Sequence, residues 1–134
     1  MAALDTNVLV RWLVVDDAGQ AEAVASMFDE YLRDRARLFV SVTVVLELEW
    51  VLRACYGFDK ASVLAALDAL LGVEEIEFQH ESAVEVALWH YRPGGAPDFA
   101  DCVHLALVGE SARGPLLSFD RRATKLLDGV RRLS

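Results

Sequence analysis

The chain has 134 residues, 54% hydrophobic and 25% charged, which predicts one domain over 1–134 with a sizeable core and excludes a disordered chain. No apolar run reaches the roughly 18 residues that a membrane-spanning helix needs. The formal net charge of −8 argues against a passive nucleic-acid binder, which carries a basic face, but not against an enzyme whose divalent cations invert the local field.

The opening Met1-Ala2-Ala3-Leu4-Asp5 lacks the basic start of a secretory leader. Residues 2–5 read as a buried strand ending in a carboxylate, and 7–13, with Val8, Leu9, Trp12 and Leu13, as a short amphipathic helix. Asp16-Asp17-Ala18-Gly19 reads as a turn with N-cap candidates before a helix over 20–35. A buried strand over 38–41 follows, then a helix over 44–56 opened by Thr43 and ended by Gly57. The next helix, 59–71, is capped by Asp59 and stopped by Gly72. Residues 74–78 alternate charged and apolar, as in a half-buried or edge strand. After a helix over 82–91, Pro93-Gly94-Gly95-Ala96-Pro97 forms a loop that feeds a helix from Asp98 to about 112. A strand over 116–119, a short helix over 120–127 and a strand over 130–133 complete the chain.

Five strands separated by helical patterns predict an α/β fold: a central parallel sheet with helices on both faces. Neither a dinucleotide nor a P-loop fingerprint is present. The two cysteines, Cys55 and Cys102, match no metal spacing and are expected as reduced core residues of a cytoplasmic protein.

Acidic residues recur at places the fold can bring to one edge. Asp5 and Asp120 each end an apolar strand pattern, at the edge where open α/β sheets bind ligands. For Asp5, helix capping stands beside metal ligation. Asp98 and Asp101, three apart at a helix start, share a face and are stabilised there as anions. For Asp98 alone, compensation of the helix dipole is an equal reading. His104, three further on, is read either as a water-handling residue or as an ordinary core or surface histidine. Glu47 borders a core face marked by Val44, Leu48, Val51 and Leu52, whereas Glu49 lies off it. A half-buried acid needs a partner, so Glu47 is preferred as the functional one. Thr6, Asn7 and Ser118 are short polar groups suited to orienting these carboxylates, with capping an alternative for Thr6 and Asn7.

Gathered carboxylates repel one another unless a cation sits among them. All-oxygen donors match a hard ion, Mg²⁺ or Mn²⁺, which typically holds a phosphate and activates a water. No covalent route suggests itself, since Ser41 and Ser118 have no histidine at a recognisable offset.

At this point the chain resembles the PIN-domain ribonucleases, in particular the VapC-type toxins of toxin–antitoxin pairs. The resemblance rests on Leu-Asp5-Thr-Asn7-Val-Leu-Val-Arg-Trp-Leu, Ser-Val-Thr-Val-Val-Leu-Glu47-Leu-Glu-Trp-Val-Leu, Asp98-Phe-Ala-Asp101-Cys-Val-His-Leu-Ala and Leu-Ser-Phe-Asp120-Arg, in order over nearly the whole chain. It implies a three-layer α/β/α sandwich and endonucleolytic cleavage of RNA with Mg²⁺ or Mn²⁺. It implies that Asp5 and Asp101 are metal-binding acids and that Glu47 and Asp120 are the other catalytic acids, with Asp98 an extra one. The metal set is thus Asp5, Asp98, Asp101 and Asp120, with the choice of Asp98 or Asp101 as direct ligand left open. A homodimer and a cognate VapB-type antitoxin are implied as well, the latter laying a segment across the toxin. Trp12, Phe28, Trp50 and Phe58 are the aromatic candidates for that contact, each also readable as core. The segment 113–134 carries six basic residues against two acidic. Arg121 and Arg122 from it, with Arg11 and Arg92, are assigned to RNA phosphates.

Two other classes compete. A phosphatase with a nucleophilic Asp5 would want a second Asp where Asn7 stands, and Lys60 and Lys125 are the only lysines. A Mg²⁺-sensing binding module would hold the ion without turning over RNA.

Overall fold

The structure, a computed structural model, describes residues 2–14, 18–34 and 36–133. Twelve elements follow one another among them. These are β1 (Ala2–Ala3), α1 (Thr6–Leu13), α2 (Ala18–Arg33), β2 (Leu38–Val40), α3 (Val42–Ala54) and α4 (Lys60–Leu71), then β3 (Ile76–Phe78), α5 (Glu81–Tyr91), α6 (Phe99–Ser111), β4 (Leu116–Ser118), α7 (Arg121–Leu126) and β5 (Val130–Arg132). The expected cap residues Asp16 and Asp17 lie outside the described residues, and Ala18 and Gly19 are already helical. The chain forms two compact units, one up to Gln79 and one from His80.

In the first unit β1, β2 and β3 make a parallel sheet with β2 in the middle. Leu38-Phe39-Val40 is apolar throughout, as a strand flanked on both sides must be. Ile76-Glu77-Phe78 alternates buried, exposed, buried, matching its place at the edge. Parallel register sets the carboxyl ends of all three strands on one edge. Ala3 pairs with Phe39 and Val40 with Phe78, so Asp5, Ser41 and Gln79 emerge side by side there. Gln79 accepts a bond from the Val42 N–H at 3.0 Å and ties the start of α3 to the end of β3. Asp59 caps α4 through the Ser62 N–H at 2.8 Å, and Gly72 closes it, both as read from the sequence. Leu9, Leu38, Leu48, Leu52 and Val63 are completely buried.

In the second unit α5 packs on α6, with Ala87, Val103 and Cys102 completely buried and Tyr91 tilted against Phe99 at 5.2 Å. β4 and β5 form a two-stranded parallel ladder.

Three expectations change. The strands hydrogen-bond as a ladder of three and a ladder of two, where one sheet of about five was expected. Strands of two or three residues carry too short an apolar pattern to declare their neighbours. The strands bearing Asp5 and Asp120 are not buried throughout: Ala3 is exposed before buried Leu4, and Leu117 and Phe119 are exposed. Cys102 is buried as expected, but Cys55 is exposed, because it follows the last turn of α3 as its C-cap.

Replacing Leu48 by Ala removes a side chain with no exposure. Urea denaturation is expected to register a loss of about 2–5 kcal/mol.

Candidate functional site

Asp5 follows β1 and is the N-cap of α1, accepting the Val8 N–H at 3.0 Å. The capping reading is therefore correct, yet it leaves a ligand role open. A carboxylate has two oxygens and about four lone-pair sites, and the cap uses one oxygen. Thr6 is buried and Asn7 exposed. Asp5, Asn7, Val8 and Arg11 of this segment line an open groove of about 370 Å³ with Gln20, Ala23 and Val24 of α2. Arg11 also donates to the Tyr56 hydroxyl at 3.0 Å.

Glu47 lies on the second turn of α3. Contrary to expectation it is exposed, and Glu49, at 5% exposure, is the buried acid. Glu49 takes two bonds from Arg53, at 2.8 and 3.4 Å. The core face of α3 is Val45, Leu48, Glu49 and Leu52. Val44 and Val51, taken as its markers, are only half-buried. The i,i+4 pair Glu49–Arg53 was the available signal that Glu49 had its own partner. Thr43, Glu47, Trp50 and Ala54, spaced at one helix face, are the exposed stripe.

The second unit carries three of the acids expected at the site. Asp98 occupies the N-cap position of α6 but makes no side-chain cap bond, and Asp101 follows in the first turn. Asp120 caps α7 through the Ala123 N–H at 2.8 Å. The Ser118 hydroxyl accepts the backbone N–H of Asp120 at 2.9 Å. Thr124 donates its hydroxyl to the Asp120 carbonyl at 2.8 Å. Asp101 is half-buried, and partial loss of water pushes its carboxyl above the usual carboxylate range. The negative charges of Asp120 and then Asp98 push it further the same way, and His104 pulls back. His104 itself is exposed.

The structure thus couples Asp98, Asp101 and Asp120 electrostatically in one unit, while Asp5 and Glu47 belong to the other. As placed, no three His, Cys, Asp or Glu side chains among the described residues are set to chelate one ion. The donor chemistry nevertheless fits a hard cation. The donors are all oxygen, and Asp101 sits in the kind of negative field that such an ion would relieve. A larger cavity of about 660 Å³ lies between α5 and α6, lined by Val86, Leu105, Val108 and Pro115 among others. It holds none of these acids, so chemistry rather than size marks the site.

Comparison with known proteins agrees with this reading of the motifs. A sequence profile described as "PIN domain" matches residues 2–128. The chain belongs to the PIN domain family. Among its relatives is a protein named "VapC ribonuclease" from Aquifex aeolicus (strain VF5), 26% identical over 128 residues that cover 94% of this chain and 92% of the relative. The α/β class and parallel strands are those of a PIN domain, and the match extends through the first unit and into the second as far as residue 128.

Of the residues proposed for phosphate contact, Arg11 lines the Asp5 groove, Arg92 is the exposed C-cap of α5, and Arg121 and Arg122 form the exposed first turn of α7. Among the aromatic candidates, Phe28 is buried, Trp12 stacks on it at 4.9 Å, Phe58 is half-buried, and Trp50 alone of the four is 53% exposed. Phe119, the last residue of the predicted strand over 116–119, is 69% exposed, immediately before Asp120.

Two outcomes follow from this geometry. Glu49→Ala leaves Arg53 without its buried partner and is expected to destabilise the fold by about 1–3 kcal/mol in urea denaturation, whereas Glu47→Gln is expected to leave stability unchanged. For Asp101 the folded carboxyl holds its proton more tightly than the unfolded one. The penalty is absent below the unfolded value of 3.8, grows as pH rises to the folded value, and stays constant above it. Asp101→Asn is therefore expected to melt higher than the parent at neutral pH, with the gap closing towards pH 3.8 in thermal scans.

Proposed function

We propose that the chain is a divalent-metal-dependent endoribonuclease and the toxin of a toxin–antitoxin pair, its two units acting as one nuclease domain. The observation that carries the reading is the PIN-domain match over residues 2–128 with a relative named VapC ribonuclease, in a chain whose Asp98, Asp101 and Asp120 interact through their charges. Asp5, Asp98, Asp101 and Asp120 would hold Mg²⁺ or Mn²⁺. Once bound, the ion supplies Lewis acidity and a water acidic enough to attack a phosphodiester at neutral pH.

The chain's own groups do the rest. Glu47, exposed and free of the core, accepts a proton from the attacking water. The caps on Asp5 and Asp120 occupy one oxygen of each carboxylate, and the other would serve as the ligand. Arg11, Arg92, Arg121 and Arg122 steady the phosphates on either side of the scissile one. A VapB-type antitoxin would neutralise the site by laying an apolar segment with a basic side chain across it. Trp50, exposed one turn beyond Glu47, is its best aromatic anchor. The protein acts in the cytoplasm as a homodimer.

The test is RNA cleavage by the purified chain with Mg²⁺ or Mn²⁺. Chelation by EDTA is expected to stop it. Asp5→Asn and Asp101→Asn are each expected to slow it about a hundredfold or more, with helical circular dichroism unchanged. Cleavage retained in both variants, or undiminished in EDTA, overturns the proposal.

A further inference from the structure

The cavity of about 660 Å³ between α5 and α6 lies apart from the acid cluster. Asp98 and Asp101 stand at the start of α6, whereas Leu105, Val108 and Gly109 line the cavity from its later turns. Those three share one helix face, and Ser82, Val86 and His90 meet them from α5 at four-residue spacing. The turns at Gly114-Pro115 and Asp128-Gly129 supply the remaining walls. Gly109 is what keeps this space open. Glycine destabilises a helix relative to alanine, so its place inside α6 needs a reason. Backbone conformation is not the reason, because its φ is not positive. Nor is close packing, since a β-carbon there would meet no atom within 4 Å. The missing side chain leaves room in the cavity and does nothing else. Gly114 and Gly129 differ, for a β-carbon on either would come within 3.3 Å of a side-chain carbon, of Val108 and Leu105 respectively. Those two glycines let the turns close on α6, while Gly109 leaves the space between them empty.

We infer that this cavity is a binding site for a small apolar amine, its hydrocarbon part against Val86, Leu105 and Val108 and its ammonium group at Glu110 and Asp128. Size, shape and charge each select that occupant. The volume is that of sites for small organic ligands. It equals a cube about 9 Å on an edge, narrower than the roughly 10–12 Å of a helix with its side chains. None of the lining residues belongs to a strand, so an extended peptide finds no sheet edge to pair with. Apolar walls with a few polar groups suit a ligand that is mostly hydrocarbon. Glu110 and Asp128 are exposed and stand at the mouth, and no lysine or arginine lines the cavity. The charge it complements is therefore positive. His80 Nδ1 lies 2.8 Å from one oxygen of Glu110, which leaves the second oxygen for the ligand. The inference does not rest on the nuclease reading.

The experiment titrates the full chain with tryptamine, tryptophol and indoleacetate, which carry an amine, an alcohol and a carboxylate on the same ring, and follows the methyl NMR signals of Val86, Leu105 and Val108. Tryptamine is expected to shift these signals saturably and to bind about fivefold more tightly than tryptophol, with indoleacetate weakest. The double variant Glu110→Gln, Asp128→Asn is expected to bring tryptamine down to the affinity of tryptophol. Gly109→Leu fills the cavity and is expected to abolish the tryptamine shifts. Leucine favours the helix, so this variant is expected to melt no lower than the parent, which separates lost binding from lost folding. Three results overturn the inference: no movement of these methyls with tryptamine, equal affinity for tryptamine and tryptophol in the parent, or unchanged binding in Gly109→Leu. A fourth is methyl signals that move with protein concentration instead, with a lower sedimentation coefficient in Gly109→Leu, which would make the cavity a contact between copies of the chain.

Discussion

Three parallel strands, β1, β2 and β4, each end by handing a short polar side chain to the helix that follows. Asp5, Ser41 and Asp120 accept the N–H three residues on, from Val8, Val44 and Ala123. The first turn of a helix has backbone donors with no intrahelical partner, and these side chains satisfy one each. The acids at such positions are therefore immobilised by the same bond that starts the helix. Asp98 departs from the pattern: it stands at the N-cap position of α6 and makes no cap bond. Its carboxylate is set close to Asp101 by the backbone while keeping both oxygens free of the helix.

The chain treats its half-hidden and hidden acids in opposite ways. Glu49, buried on the core face of α3, is matched by Arg53 one turn later. That is the ordinary requirement for an ion removed from water. Asp101 instead feels the negative charges of Asp120 and Asp98, which His104 opposes. A site that needed stability alone would have no reason to place two acids beside a third. The contrast sets an acid held by a partner apart from one left in a field of like charge.

Much of this was readable in the residues. The succession of strands and helices follows from apolar spacing and from punctuation such as Asp59 and Gly72, which cap and stop α4 as their chemistry dictates. The acids stood out because Asp5 and Asp120 each end a strand and Asp98 and Asp101 share a helix start. What spacing could not settle was which side of α3 is inward. Val42, Val44, Val45 and Leu46 are apolar around nearly a full turn, so the apolar residues alone do not define a face. The partner of Glu49, not its periodicity, carries the answer. Nor could short strands announce their neighbours, and so the split into ladders of three and two, and the exposure of Phe119, emerge only from the coordinates.

The stack of Trp12 on Phe28, 4.9 Å between ring centres, clips α1 to α2, the two helices whose facing side chains form the groove at Asp5. An indole held against a buried phenyl ring changes its emission when the two separate. Any occupant that wedges these helices apart would thus announce itself optically, so the chain carries its own reporter of whether that groove is widened or left as it stands.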